Sequence, residues 1–371
     1  MVREPATLFL IILFPVILTV AFGISFGGIN GPQSTSYQIG VFNMDSAGPY
    51  PWSQEFLEAL TDTGILQIRD YSDNETAQAD LIQGNVQAIL LIPFDFGQSC
   101  ESFRNAPTDP RLWINTTLQL YLDSGSMFAT QAIPPIVEQT LSTVIYGTQP
   151  STLLTPIQIG HPSLVEVDKL TTFDYMAPGI FAYAAIFLTM TVAQSFTTDR
   201  ENGLLRRINT TPITPAEFMT SQAVSNMLVA LVQVALVFAM AYLVGYRPSG
   251  STASVALAFA LMSIFALCNV GFGLITATLA KSSGAATGLA FVFILPQMFL
   301  GTFVGFALSP SAQTAGKLVP SYYVTDALTS LFLRGAPISS PTILLDLAAV
   351  SLYSLIVLLL GIVLFGRYGK T

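Results

Sequence analysis

The sequence predicts a polytopic α-helical membrane protein of six spans, with an α/β (α+β) extracytoplasmic domain inserted between spans one and two. Three observations carry that prediction. Of 371 residues, 52% are hydrophobic and 10% charged, where an ordinary soluble chain is about one-quarter charged. Six apolar runs, at 7–27, 176–196, 222–244, 253–280, 284–306 and 342–365, reach the roughly 20 residues that cross a bilayer. Between the first two runs, short alternating segments with turn signals replace the long apolar stretches. That interval holds 16 of the 22 acids but four of the 14 basic residues.

Residues 1–30 make the first span; a cleavable signal peptide is the alternative for this stretch, but the run is long for one and contains Pro15. Residues 31–174 form the inserted domain. Tyr37–Asn43, Leu66–Tyr71, Ala88–Pro93 and Thr117–Asp123 read as strands, and Trp52–Leu60, Asn74–Gln83 and Thr130–Tyr146 as helices. Strands alternating with helices indicate a layered domain. Residues 175–371 supply five more spans. Within them, 307–341 is broken by Pro310, Pro320, Pro337 and Pro341 and reads as an outer re-entrant or interfacial segment, which survives at that depth only when buried against protein. Arg3, Arg200, Arg206, Arg207, Lys281, Arg367 and Lys370 fall on one side of the spans, and Arg247, Lys317 and Arg334 on the other. Basic residues in short loops stay inside, so both termini are expected in the cytoplasm of a plasma-membrane protein, with 31–174 outside.

Several function classes drop out. A net charge of −8 opposes nucleic-acid binding, which wants clustered Lys and Arg. His161 is the single histidine, and Cys100 and Cys268 lie far apart, so no metal site is expected. The acids are scattered rather than paired. Asp123-Ser-Gly-Ser126 has no histidine after it except His161 in a turn context, and no catalytic residue is assigned. The Walker A pattern is absent, so no ATP hydrolysis is expected of this polypeptide. No carboxylate sits mid-span to serve an ion relay; Asp346 is expected near the outer headgroups.

The densest charge cluster outside the inserted domain lies at 197–220. Leu204, Leu205 and Ile208 give a short helix an apolar edge, the chain breaks at Asn209-Thr-Thr-Pro212, and Thr214-Pro-Ala-Glu217 restarts a helix with a capping box. Physics alone allows two uses: a lever moved by a soluble partner, or a basic hairpin lying on lipid headgroups. The run Glu201-Asn-Gly-Leu-Leu-Arg-Arg-Ile-Asn-Thr-Thr-Pro-Ile-Thr-Pro-Ala-Glu217 resembles the acidic-x-Gly-Thr-Leu-Glu-Arg-Leu…Thr-Pro-Ile/Leu-Ser…Glu signature of ATP-binding-cassette (ABC) type-2 permeases. Met176-Ala-Pro-Gly179, Met298-Phe-Leu-Gly-Thr-Phe-Val-Gly305 and Leu318-Val-Pro-Ser-Tyr-Tyr-Val-Thr-Asp-Ala-Leu328 are similar to that family's later motifs in the same order. Asn85–Pro93 is similar to the external domain of its long-loop members. Two departures stand out: Leu205-Arg206 replaces the family's Glu-containing step, and Arg3-Glu-Pro5 follows Met1 at once where the family carries an interfacial helix. For the latter there are two readings, that the helix is absent or that the start lies upstream, and the second is the expected one.

The resemblance implies an ABC-type ATPase partner carrying ATP and Mg, and a second permease copy or a sister permease. It implies a coupling role for Arg200, Glu201, Gly203, Leu204, Arg206, Arg207, Thr211 and Pro212. Mid-span Gln194, Asn226, Gln233, Asn269 and Gln297 read either as interhelical hydrogen-bond glue or as a weakly polar pathway, with Pro296 a hinge. The expected function is outward movement of a lipophilic or amphipathic compound, such as a drug, antibiotic or lipid-linked cargo. Rival readings are a membrane-anchored receptor or assembly factor, and ATP-driven sodium export.

Overall fold

A computed structural model of the chain describes residues 36–146, 156–162, 170–204, 215–302 and 314–368. The first predicted span, at 7–27, lies outside the described residues. The chain divides into two units: Ser34–Leu170 with Arg334–Ala336, and Thr171–Leu333 with Pro337–Thr371.

In the first unit, alternation along β1 (Tyr37–Asn43) points Ile39 and Val41 to one face. Next come α1 (Trp52–Asp62), β2 (Leu66–Asp70), α2 (Asn74–Ile82) and β3 (Ala88–Ile92). Then α3 (Phe96–Asn105), β4 (Thr116–Leu122), α4 (Met127–Tyr146) and β5 (Ile157–Gly160) complete the unit. The strands order as β2-β1-β3-β4-β5. β1 runs parallel to β2 and β3, β4 is antiparallel to β3, and β5 is parallel to β4. Every residue of β3 is buried, which explains its unbroken apolar run: both faces are covered. Phe56, Leu60, Phe96, Ile133 and Val137 cover one face, while Ala77 and Leu81 of α2 meet Ile89 on the other.

Two elements were not legible beforehand. α3 carries Phe96, Cys100 and Phe103 at i, i+4 and i+7, a helical stripe hidden among polar residues. β5 is only four residues long. In addition, α4 starts at Met127 rather than Thr130 and passes through Pro134 and Pro135. Asp123 does not act as part of a serine motif: it is buried, and the guanidinium of Arg334, which belongs to this unit, grips both its oxygens at 2.9 and 3.1 Å.

The second unit comprises α5 (Thr172–Ile186), α6 (Leu188–Glu201), α7 (Pro215–Val244), α8 (Thr252–Leu279), α9 (Ser283–Pro296), a π-helical turn (Gln297–Thr302), α10 (Pro320–Phe332) and α11 (Pro341–Tyr368). Among the described residues five stretches are long and apolar enough to cross a membrane: Thr172–Glu201, Val224–Val244, Thr252–Leu279, Ser283–Thr302 and Pro341–Arg367. They coincide with the predicted second to sixth spans. The second is broken at Phe187 into α5 and α6, a break the apolar pattern does not announce. Packing relies on small residues, as it must where lipid offers no hydrophobic drive. A Cβ on Gly271 of α8 would lie 2.7 Å from the backbone of α11 at Val357 and Leu358, and one on Gly361 would lie 2.6 Å from the Gly271 carbonyl. Leu188, Val192, Phe196, Val270, Leu274 and Phe365 fill the space beside this contact.

Candidate functional site

The loop singled out by sequence begins where α6 ends. Gly203 has φ +71°, the left-handed conformation that terminates a helix and that other residues adopt at a cost. Asn202 and Leu204 are exposed beside it. Leu205, Arg206, Arg207, Ile208, Thr211, Pro212 and Thr214 lie outside the described residues, and α7 resumes at Pro215, where the capping box places a helix start.

The last turn of α6 is tied to two other helices. The Arg200 guanidinium donates to the carbonyls of Ala277, at 3.3 Å, and of Ala280. The first belongs to the last turn of α8, whose carbonyls lack an intrahelical donor, and the second to its C-cap residue, and a cation suits the negative end of the helix dipole. Glu201 Oε1 accepts from the backbone N–H of Ser283, the first residue of α9, at 3.2 Å, putting a carboxylate at the positive end of that helix. Thr198 Oγ1 donates to Ser283 Oγ at 3.3 Å, and Gln194 Nε2 to Thr287 Oγ1 at 2.7 Å. Positions 194, 198 and 201 share a face of α6. Beneath them Ala193, Ala280 and Ala286 pack as a dry floor.

Deeper in the same unit the structure brings together two of the five mid-span amides. Asn269 Oδ1, fully buried, accepts from Thr189 Oγ1 at 3.1 Å and from Gln297 Nε2 at 3.2 Å, while Asn269 Nδ2 donates to the Phe265 carbonyl at 3.0 Å. The Gln297 carbonyl accepts from Ser321 Oγ at 2.8 Å and Thr302 Oγ1 at 3.3 Å. Gln297 Oε1 is buried without a hydrogen-bond partner. The other three stand apart: Gln194 on α9 as above, Gln233 Nε2 on the Ala184 carbonyl at 3.1 Å, and Asn226 half-buried on α7. Pro296, which lacks the N–H an α-helix requires, stands at the junction of α9 with the π-helical turn. Asp346 is buried at 3% exposure, in the second turn of α11. Around Phe181 gather Phe238, Tyr246 and Phe332, with centroids 5.5, 5.7 and 6.4 Å away.

Among the described residues no group of three or more His, Cys, Asp or Glu side chains is placed to hold a metal ion. Both cysteines are free and buried, and burial pushes the Cys100 thiol up to about 12, far from the range of a reactive thiolate.

Long apolar helices packed through glycines, with polar contacts kept between helices, define a multi-pass membrane protein. Which one is shown by comparison: the model of the ABC-2 family of transporter proteins matches residues 5–366, and the chain belongs to that family. It is similar to the probable multidrug ABC transporter permease YbhR of Escherichia coli K12, 26% identical over 368 residues that cover 96% of this chain and 91% of that protein, and equally to the YbhR of Escherichia coli O157:H7. It is thus an ABC transporter permease. Such subunits are generally not catalytic themselves and generally work with an ATPase.

Proposed function

We propose that this chain is the membrane subunit of an outward-moving ABC exporter of lipophilic or amphipathic compounds. A separate ATPase, binding ATP and Mg, docks on residues 197–220, and a second copy or a sister permease completes the transport path. Both termini face the cytoplasm and residues 31–174 face outward. The observation that carries this reading is the built end of α6. A segment resting on headgroups needs only an apolar edge and loose basic anchors; here the segment issues from a helix end braced to α8 and α9 by four side chains, as a lever requires.

Among the described residues the interior of the helical unit is mostly apolar, with Asp346 its buried carboxylate, and this supports an apolar cargo. The buried amides and hydroxyls around Asn269 and Gln297 offer weak polarity, and the Phe181, Phe238, Tyr246 and Phe332 rings offer large aromatic area. The similarity to a multidrug permease points to the same cargo class. Pro296 and the π-helical turn give α9 a bend point, since a helix without that N–H resists straightening.

The test is reconstitution of the permease with its cognate ATPase in vesicles. Cargo-stimulated ATP hydrolysis and ATP-dependent movement of a lipophilic dye are expected, and absence of both rejects the reading. Glu201→Ala and Gly203→Pro are expected to uncouple hydrolysis from transport. Normal transport by both would make the loop a headgroup anchor.

A further inference from the structure

The coupling reading treats Arg200 and Glu201 as part of the surface that meets the ATPase, yet both side chains are engaged within the permease. They act on opposite ends of one short turn, Ala280–Lys281–Ser282. Arg200 holds the carbonyl end of α8, and Glu201, the next residue, holds the amide end of α9. Opposite charges at the two dipole ends match the turn's own polarity. Thr198 and Gln194 extend the contact along α9. The apex residue Lys281 is exposed, as are Asn202 and Leu204 beyond the end of α6.

We infer that Arg200 and Glu201 are positioning residues that lock the α8–α9 turn to the α6 terminus, so that the ATPase grips both turns as one rigid face and moves α6, α8 and α9 together. On this view Lys281 and Leu204, not Arg200 and Glu201, touch the partner. The inference rests on the coupling reading for the identity of the partner, but not for the bracing.

Ser283→Pro isolates the brace. It removes the N–H that Glu201 accepts from and the hydroxyl that Thr198 reaches. Pro suits the first helical position, and the preceding Ser282 is already extended, at φ −143° and ψ 158°, as a residue before Pro prefers. The helix start therefore survives. Arg200→Ala breaks the other half, and Arg200→Lys restores charge without the fork. An Asn202→Cys/Lys281→Cys pair, probed with a short bifunctional maleimide, reads the separation of the turns in the full-length permease in vesicles, without and with the ATPase and ATP.

In the parent background cross-linking is expected to be efficient and equal with and without ATP. Ser283→Pro and Arg200→Ala should lower it, and with it the transport per ATP hydrolysed, by roughly fivefold or more, the scale of a typical coupling free energy. Arg200→Lys should recover part of both. Unchanged cross-linking and coupling in Ser283→Pro and Arg200→Ala overturn the brace. Loss of ATPase binding by these variants with cross-linking intact also overturns it, since the residues would then be contacts. If cross-linking responds as expected while the unmodified complex shows no cargo-stimulated hydrolysis, the brace stands and the coupling reading fails.

Discussion

At the scale of single residues, three positions show how local chemistry sets the cost of change. Among the described residues nothing crowds Gly203, so its φ of +71° rather than its surroundings fixes its identity. Gly203→Ala is expected to cost about 1–2 kcal/mol of local stability, and Gly203→Asn less, read as faster hydrogen exchange through the last turn of α6. In the α/β unit, Asp123 and Arg334 form a buried two-pronged ion pair. Removing one partner strands the other, so Asp123→Ala is expected to cost about 3–5 kcal/mol, measured as a lower urea midpoint for hydrogen-exchange protection of β3 and β4. Asp45 works the other way. It is 2% exposed, its carboxylate accepts from the Gly97 N–H at 3.1 Å and interacts with the Ser53 hydroxyl, and Oδ1 is left without a partner. Burial raises its pKa above the usual carboxylate value. A raised folded pKa contributes stability that is present below the unfolded value, about 3.9, and is lost as pH rises through the folded one. Asp45→Asn should therefore stabilise the unit at pH 7 and have little effect near pH 3. A stabilisation equal at both pH values would show that the charge is not the cause.

At the scale of elements, close approach of α8 to α11 depends on Gly271 and Gly361, whose backbones nearly touch. Gly271→Leu has no room to relax between two helix backbones, where overpacking alone costs about 1–3 kcal/mol. It is expected to lower the melting temperature of the detergent-solubilised protein, while Gly284→Leu, at a position open to 4 Å, leaves it nearly unchanged. These helices also show what a sequence carries openly. Apolar runs of span length are set by composition, so the second to sixth spans were readable within a few residues. Strands such as Ala88–Ile92 and Tyr37–Asn43 were readable because burial on one or both faces writes itself as alternation or as a continuous run. The Phe187 break was not, because no Pro or Gly marks it. The fate of Arg200 and Glu201 was also hidden: a charge cluster in a loop looks the same whether its groups face a partner or cap neighbouring helices, and the partners Ala277, Ala280 and Ser283 are about 80 residues away along the chain. The family signature singled out the segment but carried nothing about the direction of its side chains.

At the scale of the whole molecule, the bonding inside the helical unit constrains topology independently of charge counting. Arg200 and Glu201 bind the start and end of the Ala280–Ser282 turn, so Leu204 and Lys281 must emerge on the same side of the bilayer. Arg247 follows the other end of α7, where Ser249 donates to the Phe332 carbonyl at the end of α10, so it must emerge opposite. Basic-residue asymmetry predicts the sides, with Lys281 expected inside and Arg247 outside. Both native cysteines are buried, at 2% and 0% exposure, which keeps background labelling low. In intact cells a membrane-impermeant maleimide is expected to label Arg247→Cys and to leave Lys281→Cys unlabelled until the membrane is opened. Labelling of Lys281→Cys alone would invert the orientation but keep the fold, and would place residues 197–220 out of reach of a cytoplasmic ATPase, overturning the coupling reading. Labelling of both from outside would contradict the shared anchoring of the two turns, because no arrangement of α6, α8 and α9 that preserves the Arg200 and Glu201 bonds puts Lys281 on the same face as Arg247.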